Sequence, residues 1–172
     1  MEFLKIVVSC IIAAVLYGIA HDQVTARIYL PYFTVFHPPV FHTQSPTLQA
    51  LGWGIIATWW VGAFLGLLLA MVCRFGGAPK LTLVDMIRPI GILLLVMAGC
   101  AALSGIIGFF WGRAPEGMMD LLPAGAQRGF LADWYAHSAS YASGFIGGMF
   151  LCVLALRKRL RARSRHQFAE YS

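Results

Sequence analysis

The chain has 172 residues, of which 59% are hydrophobic and only 12% are charged, and its formal net charge at pH 7 is +6. Together with a mean hydropathy of +0.74, this composition excludes an ordinary water-soluble domain and is typical of a protein whose solvent is largely lipid. Several membrane spans would use nearly the whole chain, so we expect a single membrane domain over residues 1–172.

Four apolar segments are long enough to cross the hydrocarbon core of a bilayer, which takes about 20 helical residues. They cover residues 3–20, 51–73, 89–111 and 134–156. The sequence therefore predicts an all-α integral membrane protein built as a bundle of four transmembrane helices. Small residues recur at spacings of four in the last three spans, which predicts faces where helices pack closely.

The first span ends in small residues, Gly18-Ile19-Ala20, of the kind that precede a signal-peptidase cut. The basic segment that should come before such a signal is weak, because Lys5 is offset by Glu2. We therefore expect this span to stay in the membrane as an uncleaved anchor.

The distribution of lysine and arginine predicts which side of the membrane each connection faces, because cytoplasmic loops retain an excess of positive charge. Connection 74–88 and tail 157–172 are basic, whereas connections 21–50 and 112–133 carry few bases for their length. We expect both termini in the cytoplasm, the two less basic connections on the outer face, and a bacterial inner membrane as the location. The indoles at the predicted outer helix ends agree with this orientation.

The basic tail predicts one partner, the lipid bilayer. Basic residues near a membrane surface attract anionic headgroups with about 1 kcal/mol each. Topology and lipid attraction account for the tail completely, and no nucleic-acid partner is expected.

Residues 21–50 form a very long connection, since links between elements usually have about 4 to 6 residues. Its prolines preclude one continuous helix, and β-branched and aromatic residues over 24–36 predict extended or interfacial structure. We expect the connection to be ordered and to cover the outer end of the bundle. It contains three of the five histidines, namely His21, His37 and His42.

A single base, Arg27, lies in this connection. We expect it to form an ion pair with one of the acids predicted on the same side of the membrane. The candidates are Asp22, Glu116, Asp120 and Asp133.

Ionisable residues also mark the start of the fourth span. Asp133, His137 and Tyr141 follow each other at spacings of four, so a carboxylate, an imidazole and a phenol share one helical face. The same face continues in glycines, which predicts that it points into the bundle and not at lipid. Since His21 ends the first span at a similar depth, we expect it to meet His137, with Asp22 or Asp133 nearby.

Such a cluster predicts a metal site. Imidazoles of His21, His37 and His137 and carboxylates of Asp22 and Asp133 are ligands that suit Zn²⁺, Cu²⁺ or non-haem iron. Neighbouring residues on a helix point about 100° apart, so joint ligation by His21 and Asp22 is expected only if the first helix ends there. A haem b between His21 and His137 is a less favoured alternative. The predicted function is metal handling or metal-dependent membrane chemistry at the outer face.

Each of these residues also has an ordinary structural explanation. Asp133 is in place to cap the start of a helix, His137 to bond a buried carbonyl group, and His37 to lie in a solvated turn before two prolines. If those explanations hold, the alternative function is an accessory or assembly subunit of a larger membrane complex without a catalytic role. Its small-residue faces would then dock other subunits or a second copy of the chain.

Overall fold

The structure is a computed structural model that describes residues 1–114, 117, 118, 120 and 122–170, with the side chains of 124 and 166–170 outside that description. The part of the chain so described is helical, without strands. Its α-helices are α1 (Glu2–Ile28), α2 (Pro31–Thr34), α3 (Pro46–Ile56), α4 (Trp59–Arg74), α5 (Leu83–Trp111) and α6 (Gln127–Glu170). A 3₁₀ turn, Ala124–Ala126, precedes α6.

In the described residues, four helical stretches are long and apolar enough to cross a membrane, as the sequence predicts. They are Glu2–Ile28, Pro46–Arg74, Leu83–Trp111 and Gln127–Arg165. Each stretch is longer than its apolar run, because backbone hydrogen bonding continues through polar residues until a stop signal appears. α1, for example, runs eight residues past Ala20 and ends at Ile28, because Tyr29 leaves the helical backbone conformation.

The spans alternate in direction, so the bundle has two distinct ends. At one end, which we call the histidine end, rings of His21, Trp53 and His137 lie among those of the 29–45 segment. At the other, the basic end, Glu2 accepts a hydrogen bond from the backbone N–H of Leu83. The guanidinium of Arg159 also lies there, buried against the chain that follows α4.

Glycines allow α1 to approach its neighbours closely, as the small-residue pattern predicts. A Cβ added at Gly54 would lie 2.6 Å from backbone atoms of Ile19, and one at Gly62 would lie 2.7 Å from the carbonyl oxygen of Cys10. On the other side of the bundle, a Cβ at Gly108 of α5 would overlap the carbonyl oxygen of Leu131. The bundle therefore contains two pairs of closely packed spans. In one pair α1 packs against the second span, which α3 and α4 form, and in the other α5 packs against α6.

The second predicted span is not one continuous helix. It is interrupted at Ala57 and Thr58, where the Thr58 hydroxyl donates to the carbonyl oxygen of Gly54. A side chain that bonds back to the preceding turn in this way bends a helix. The carbonyl oxygen of Ala57 accepts a hydrogen bond from the hydroxyl of Tyr141 at 3.3 Å instead.

Segment 29–45, which we call the covering segment, packs on the histidine end of the bundle. Phe33 is only 2% exposed and packs with Ala26, Ala50 and Trp53, while Tyr32 lies on Phe130 of α6. The prediction of extended structure over 24–36 is wrong, because α1 continues to Ile28 and residues Pro31–Thr34 form α2. Proline at the first position of α2 favours that short helix.

The predicted ion pair of Arg27 does not form with any of the candidate acids that the structure describes, so the prediction is wrong for those residues. Its guanidinium donates to the carbonyl and side-chain oxygens of Gln23 and, at 2.9 Å, to the hydroxyl of Thr47. The continuation of α1 places Gln23 one turn before Arg27, so a neutral partner is nearer than any of these carboxylates. Glu116, the fourth candidate, lies outside the described residues.

The last two spans begin earlier than predicted. α5 starts at Leu83 because Thr82 and Asp85 form a capping box, which satisfies free backbone N–H groups there. α6 starts at Gln127, so Asp133 lies within the helix and the predicted capping role for it is wrong.

The basic tail continues α6, and Arg159 is buried at 3% exposure rather than free for lipid.

Candidate metal site

His21, Asp22 and His137 meet at the histidine end, between α1 and α6. Ring centroids of His21 and His137 are 4.6 Å apart, and Nε2 of His137 lies 3.2 Å from Oδ1 of Asp22. One potential ligand atom from each of the three residues lies within 4.8 Å of the other two. The predicted convergence of His21 and His137 is confirmed, and Asp22 is the carboxylate beside them.

The expectation that α1 must end for His21 and Asp22 to act together is wrong. The helix continues to Ile28, yet both side chains reach the same cavity. The two residues flank the line along which α1 faces α6, so a 100° difference in direction still lets both side chains reach His137. Asp22 is 5% exposed, which means that this carboxyl group is held inside the protein.

Hydrogen bonds hold both histidines of the cluster in place. Nδ1 of His137 lies 2.7 Å from the carbonyl oxygen of Asp133, to which it donates. Nδ1 of His21 lies 3.4 Å from the hydroxyl of Ser140, which itself contacts the Tyr17 hydroxyl at 2.8 Å. Nε2 of His21 is buried without a hydrogen-bond partner in the part of the chain described. Because Nδ1 of His137 donates to a carbonyl oxygen, the neutral ring keeps its lone pair on Nε2, which faces Asp22.

His37 lines the same cavity but does not belong to the three-residue group. The cavity has a volume of about 220 Å³. Nδ1 of His37 lies 2.7 Å from the carbonyl oxygen of Tyr32, and its ring stacks on Phe33 and packs beside Trp53. Burial lowers the pKa of His37 below its ordinary value, so the neutral ring is favoured.

Asp133 contributes its backbone rather than its carboxyl group. Its side chain is fully buried, and neither carboxyl oxygen has a hydrogen-bond partner among the residues described. The backbone N–H of Tyr29 faces the carboxyl group, but that N–H donates to the carbonyl oxygen of Thr25. Asp133 does not line the cavity.

Several cavity residues were not predicted from the sequence. Ser140 lies three residues after His137, and Tyr17 lies four before His21, so helical spacing from each histidine is the signal that would find them. Trp53 has no such signal, because it lies in α3, which carries neither histidine. Its indole N–H is buried and unpaired within the described part of the molecule. His42 does not line this cavity.

The charges of this region are unbalanced. Asp22 and Asp133 are both buried, and neither forms a salt bridge with a lysine or arginine of the described chain. The partner of Asp22 is His137, which is charged only when protonated. Two buried carboxyl groups without a permanent cation favour either protonation or a bound positive ion.

Among the residues described, these features define a helical protein with four helices able to cross a membrane and a His-Asp-His group able to hold a metal ion. Comparison of the chain with models of protein families, with curated proteins and with solved structures found no match. The functional argument therefore rests on the site itself.

Proposed function

We propose that this chain is an integral membrane protein that binds one divalent transition metal ion through His21, Asp22 and His137, and that it handles this metal or uses it for chemistry. The observation that carries the proposal is the meeting of the three ligand atoms within 4.8 Å of one another. His21 and Asp22 are neighbours in α1, and helix packing brings His137 of α6 to them.

The distances suit a metal ion after a small closure. Bonds from zinc to imidazole nitrogen are about 2.0 to 2.1 Å, so two ligand atoms on one tetrahedral ion lie about 3.4 Å apart. The 3.2 Å contact between His137 and Asp22 is already at this separation, and the widest pair in the group must approach by at most about 1.4 Å.

Hydrogen bonds at the other ring nitrogen of each ligating histidine also support metal binding. Ligating histidines usually donate their other N–H to a carbonyl, a carboxylate or water, which fixes the tautomer. His137 does so to the carbonyl oxygen of Asp133, and His21 faces the hydroxyl of Ser140. A divalent ion would in addition balance the negative charges of Asp22 and Asp133.

The ligand set narrows the choice of metal. Two histidines and one carboxylate with open positions are typical of non-haem Fe²⁺ sites, and the same set occurs in catalytic Zn²⁺ sites. Cu²⁺ also accepts these donors. A haem between His21 and His137 would require the two rings to separate, because centroids 4.6 Å apart leave no space for a macrocycle between them.

The orientation is part of the proposal. The excess of lysine and arginine at the basic end favours a cytoplasmic position for that end, with both termini inside and the metal site at the outer face of a bacterial inner membrane. A reporter that is active only in the cytoplasm, fused after Ser172, should be active. An inactive fusion, paired with an active fusion in the 112–123 connection, would reverse the orientation.

Elemental analysis of the purified protein tests the metal. We expect about one equivalent of iron, zinc or copper per chain, and its loss in His137→Ala. His42→Ala is the matched control, because His42 lies outside the cavity, and it should keep the metal. Equal, substoichiometric metal in all three samples would leave the cluster as a hydrogen-bonded structural feature. The accessory-subunit function would then be the better account.

A further inference from the structure

A second, larger space borders the candidate metal site. It is a groove of about 680 Å³ between α1 and α5, with parts of α6 as its floor. Its walls are almost entirely apolar side chains, and small residues of α5 keep it open. Among these lining residues are Val24, Ile28, Ala98, Ala102, Ile106 and Phe110.

His21 separates the groove from the cavity of the metal site. It lines both spaces, as does Tyr17. The covering segment closes the cavity toward the end of the bundle, where Phe33 is 2% exposed and Tyr32 stacks on His137. At the groove, in contrast, the rim residues Val24 and Ile106 are 61% and 54% exposed on the lipid-facing surface. The apolar groove is thus a lateral approach to His21.

The length of the groove indicates which kind of molecule it can hold. From Ala98 to Phe110 it follows α5 for about 18 Å, since a helix rises 1.5 Å per residue. This length is close to one leaflet, which is half of a hydrocarbon core about 30 Å thick. A single lipid chain that lies along α5 matches this length.

We infer that the groove binds one acyl chain of a membrane lipid from the leaflet at the histidine end, and that this lipid is the substrate or ligand of the metal site. The chain passes beside His21, whose Nε2 is buried without a partner in the described structure. Its role as a substrate rests on the proposed metal function, whereas its binding in the groove does not. The site would then act on a molecule that arrives from the membrane and not from water.

Photo-crosslinking tests the groove. The full-length protein is placed in phosphatidylcholine vesicles with palmitic acid that carries a diazirine within its chain, and crosslinked peptides are mapped. We expect crosslinks at groove residues of α1 and α5, and at least a five-fold loss in Ala102→Phe, which fills the groove. Ala142→Phe is the matched control, because Ala142 is an exposed alanine of α6 that lines neither space.

The outcomes separate the two proposals. Crosslinks spread evenly over the exposed face of α5, including Leu95 and Leu103, with no effect of Ala102→Phe, would show only bulk lipid and overturn the groove proposal. Ala102→Phe should keep its bound metal, and His137→Ala should lose metal but keep the groove crosslinks. If the unaltered protein binds no metal but gives groove crosslinks, chain binding stands and the substrate role is overturned together with the metal function.

Discussion

Nε2 of His137 lies 3.2 Å from Oδ1 of Asp22, a residue 115 positions earlier in the chain, while Nδ1 of the same ring is held by the carbonyl oxygen of Asp133. One imidazole therefore connects α1 to α6 and has its orientation fixed from the opposite side. An ion placed between His137 and Asp22 would replace this direct contact.

Removal of the charge of Asp22 should weaken metal binding. Asp22→Asn keeps the shape of the side chain but loses the anionic ligand, so we expect the dissociation constant to rise by more than the 10- to 100-fold typical of outer-shell changes. Competition with a metal-binding dye measures it. The control is Asp120→Asn, an exposed acid, and an equal loss of affinity in both variants would contradict the assignment.

Removal of the metal should lower the thermal stability of the bundle. A ligand that binds only the folded state at 100 times its dissociation constant stabilises that state by about 2.7 kcal/mol. Chelator-treated protein should therefore unfold at a lower temperature in detergent and recover when the metal is returned. His137→Ala should respond to neither treatment, and a response equal to that of the unaltered protein would place the metal elsewhere.

Alanine should be poorly tolerated where α1 meets α3 and α4. A Cβ at Gly54 or Gly62 would lie within 2.8 Å of backbone atoms of α1, which forces the helices apart. We expect Gly54→Ala and Gly62→Ala each to lower the free energy of unfolding by about 1 to 3 kcal/mol. Gly99→Ala is the control, because no atom lies within 4 Å of its added Cβ. A destabilisation of the same size at Gly99 would show that the effect is not close packing.

Arg159 should be a stability residue of the basic end. Its guanidinium donates to the carbonyl oxygens of Val72, Phe75, Ala78 and Pro79, where α4 ends and the chain turns. Arg159→Met leaves these acceptors unpaired, and we expect a loss of about 3 kcal/mol in unfolding free energy. Arg161→Met, at an exposed position of the same helix, should have little effect. Equal stability of the two variants in a denaturant titration would refute this role.

His37 should make the metal-free protein sensitive to acid. Its folded-state pKa is lowered by burial, while the unfolded value is about 6.5, so below that pH the unfolded state binds more protons and stability falls. In chelator, His37→Gln should therefore lose less of its melting temperature between pH 7.5 and pH 5.5 than the unaltered protein loses. The matched control is His42→Gln, which removes a histidine of the same segment that lies outside the cavity. An unchanged slope in His37→Gln would assign the acid sensitivity to other groups.

Much of the fold follows from the sequence because a bilayer imposes simple rules. An apolar run of about 20 residues must be helical to satisfy its own backbone, so the four spans were predictable. The depth of His21 and His137 followed from their positions at span ends. Small residues at spacing four identified faces for close packing, which Gly54 and Gly62 occupy in contact with α1.

Helix ends and side-chain partners were not predictable in the same way. Hydropathy indicates which residues lie in lipid but not where backbone hydrogen bonding ends, so it did not predict that α1 continues past Ala20. Because of this continuation, Arg27 forms its hydrogen bond with Gln23 and not with an acid. The interruption of the second span at Thr58 depends on a hydrogen bond from its hydroxyl to the carbonyl oxygen of Gly54. A hydrophobic pattern does not predict such a side-chain hydrogen bond.

The site itself was decided by the rotation of α1 about its axis. Gly18 has no room for a Cβ, because Thr58 and the carbonyl oxygen of Gly54 lie within 3 Å of that position. This contact fixes the face that α1 presents, and Asp22, one turn later, turns toward His137 while His21 borders the groove. The sequence determined that these ionisable residues lie at one depth of a four-helix bundle. Only the close packing of α1 against α3 and α4 decided that His21, Asp22 and His137 meet, because rotation about a helix axis is set by contacts between helices.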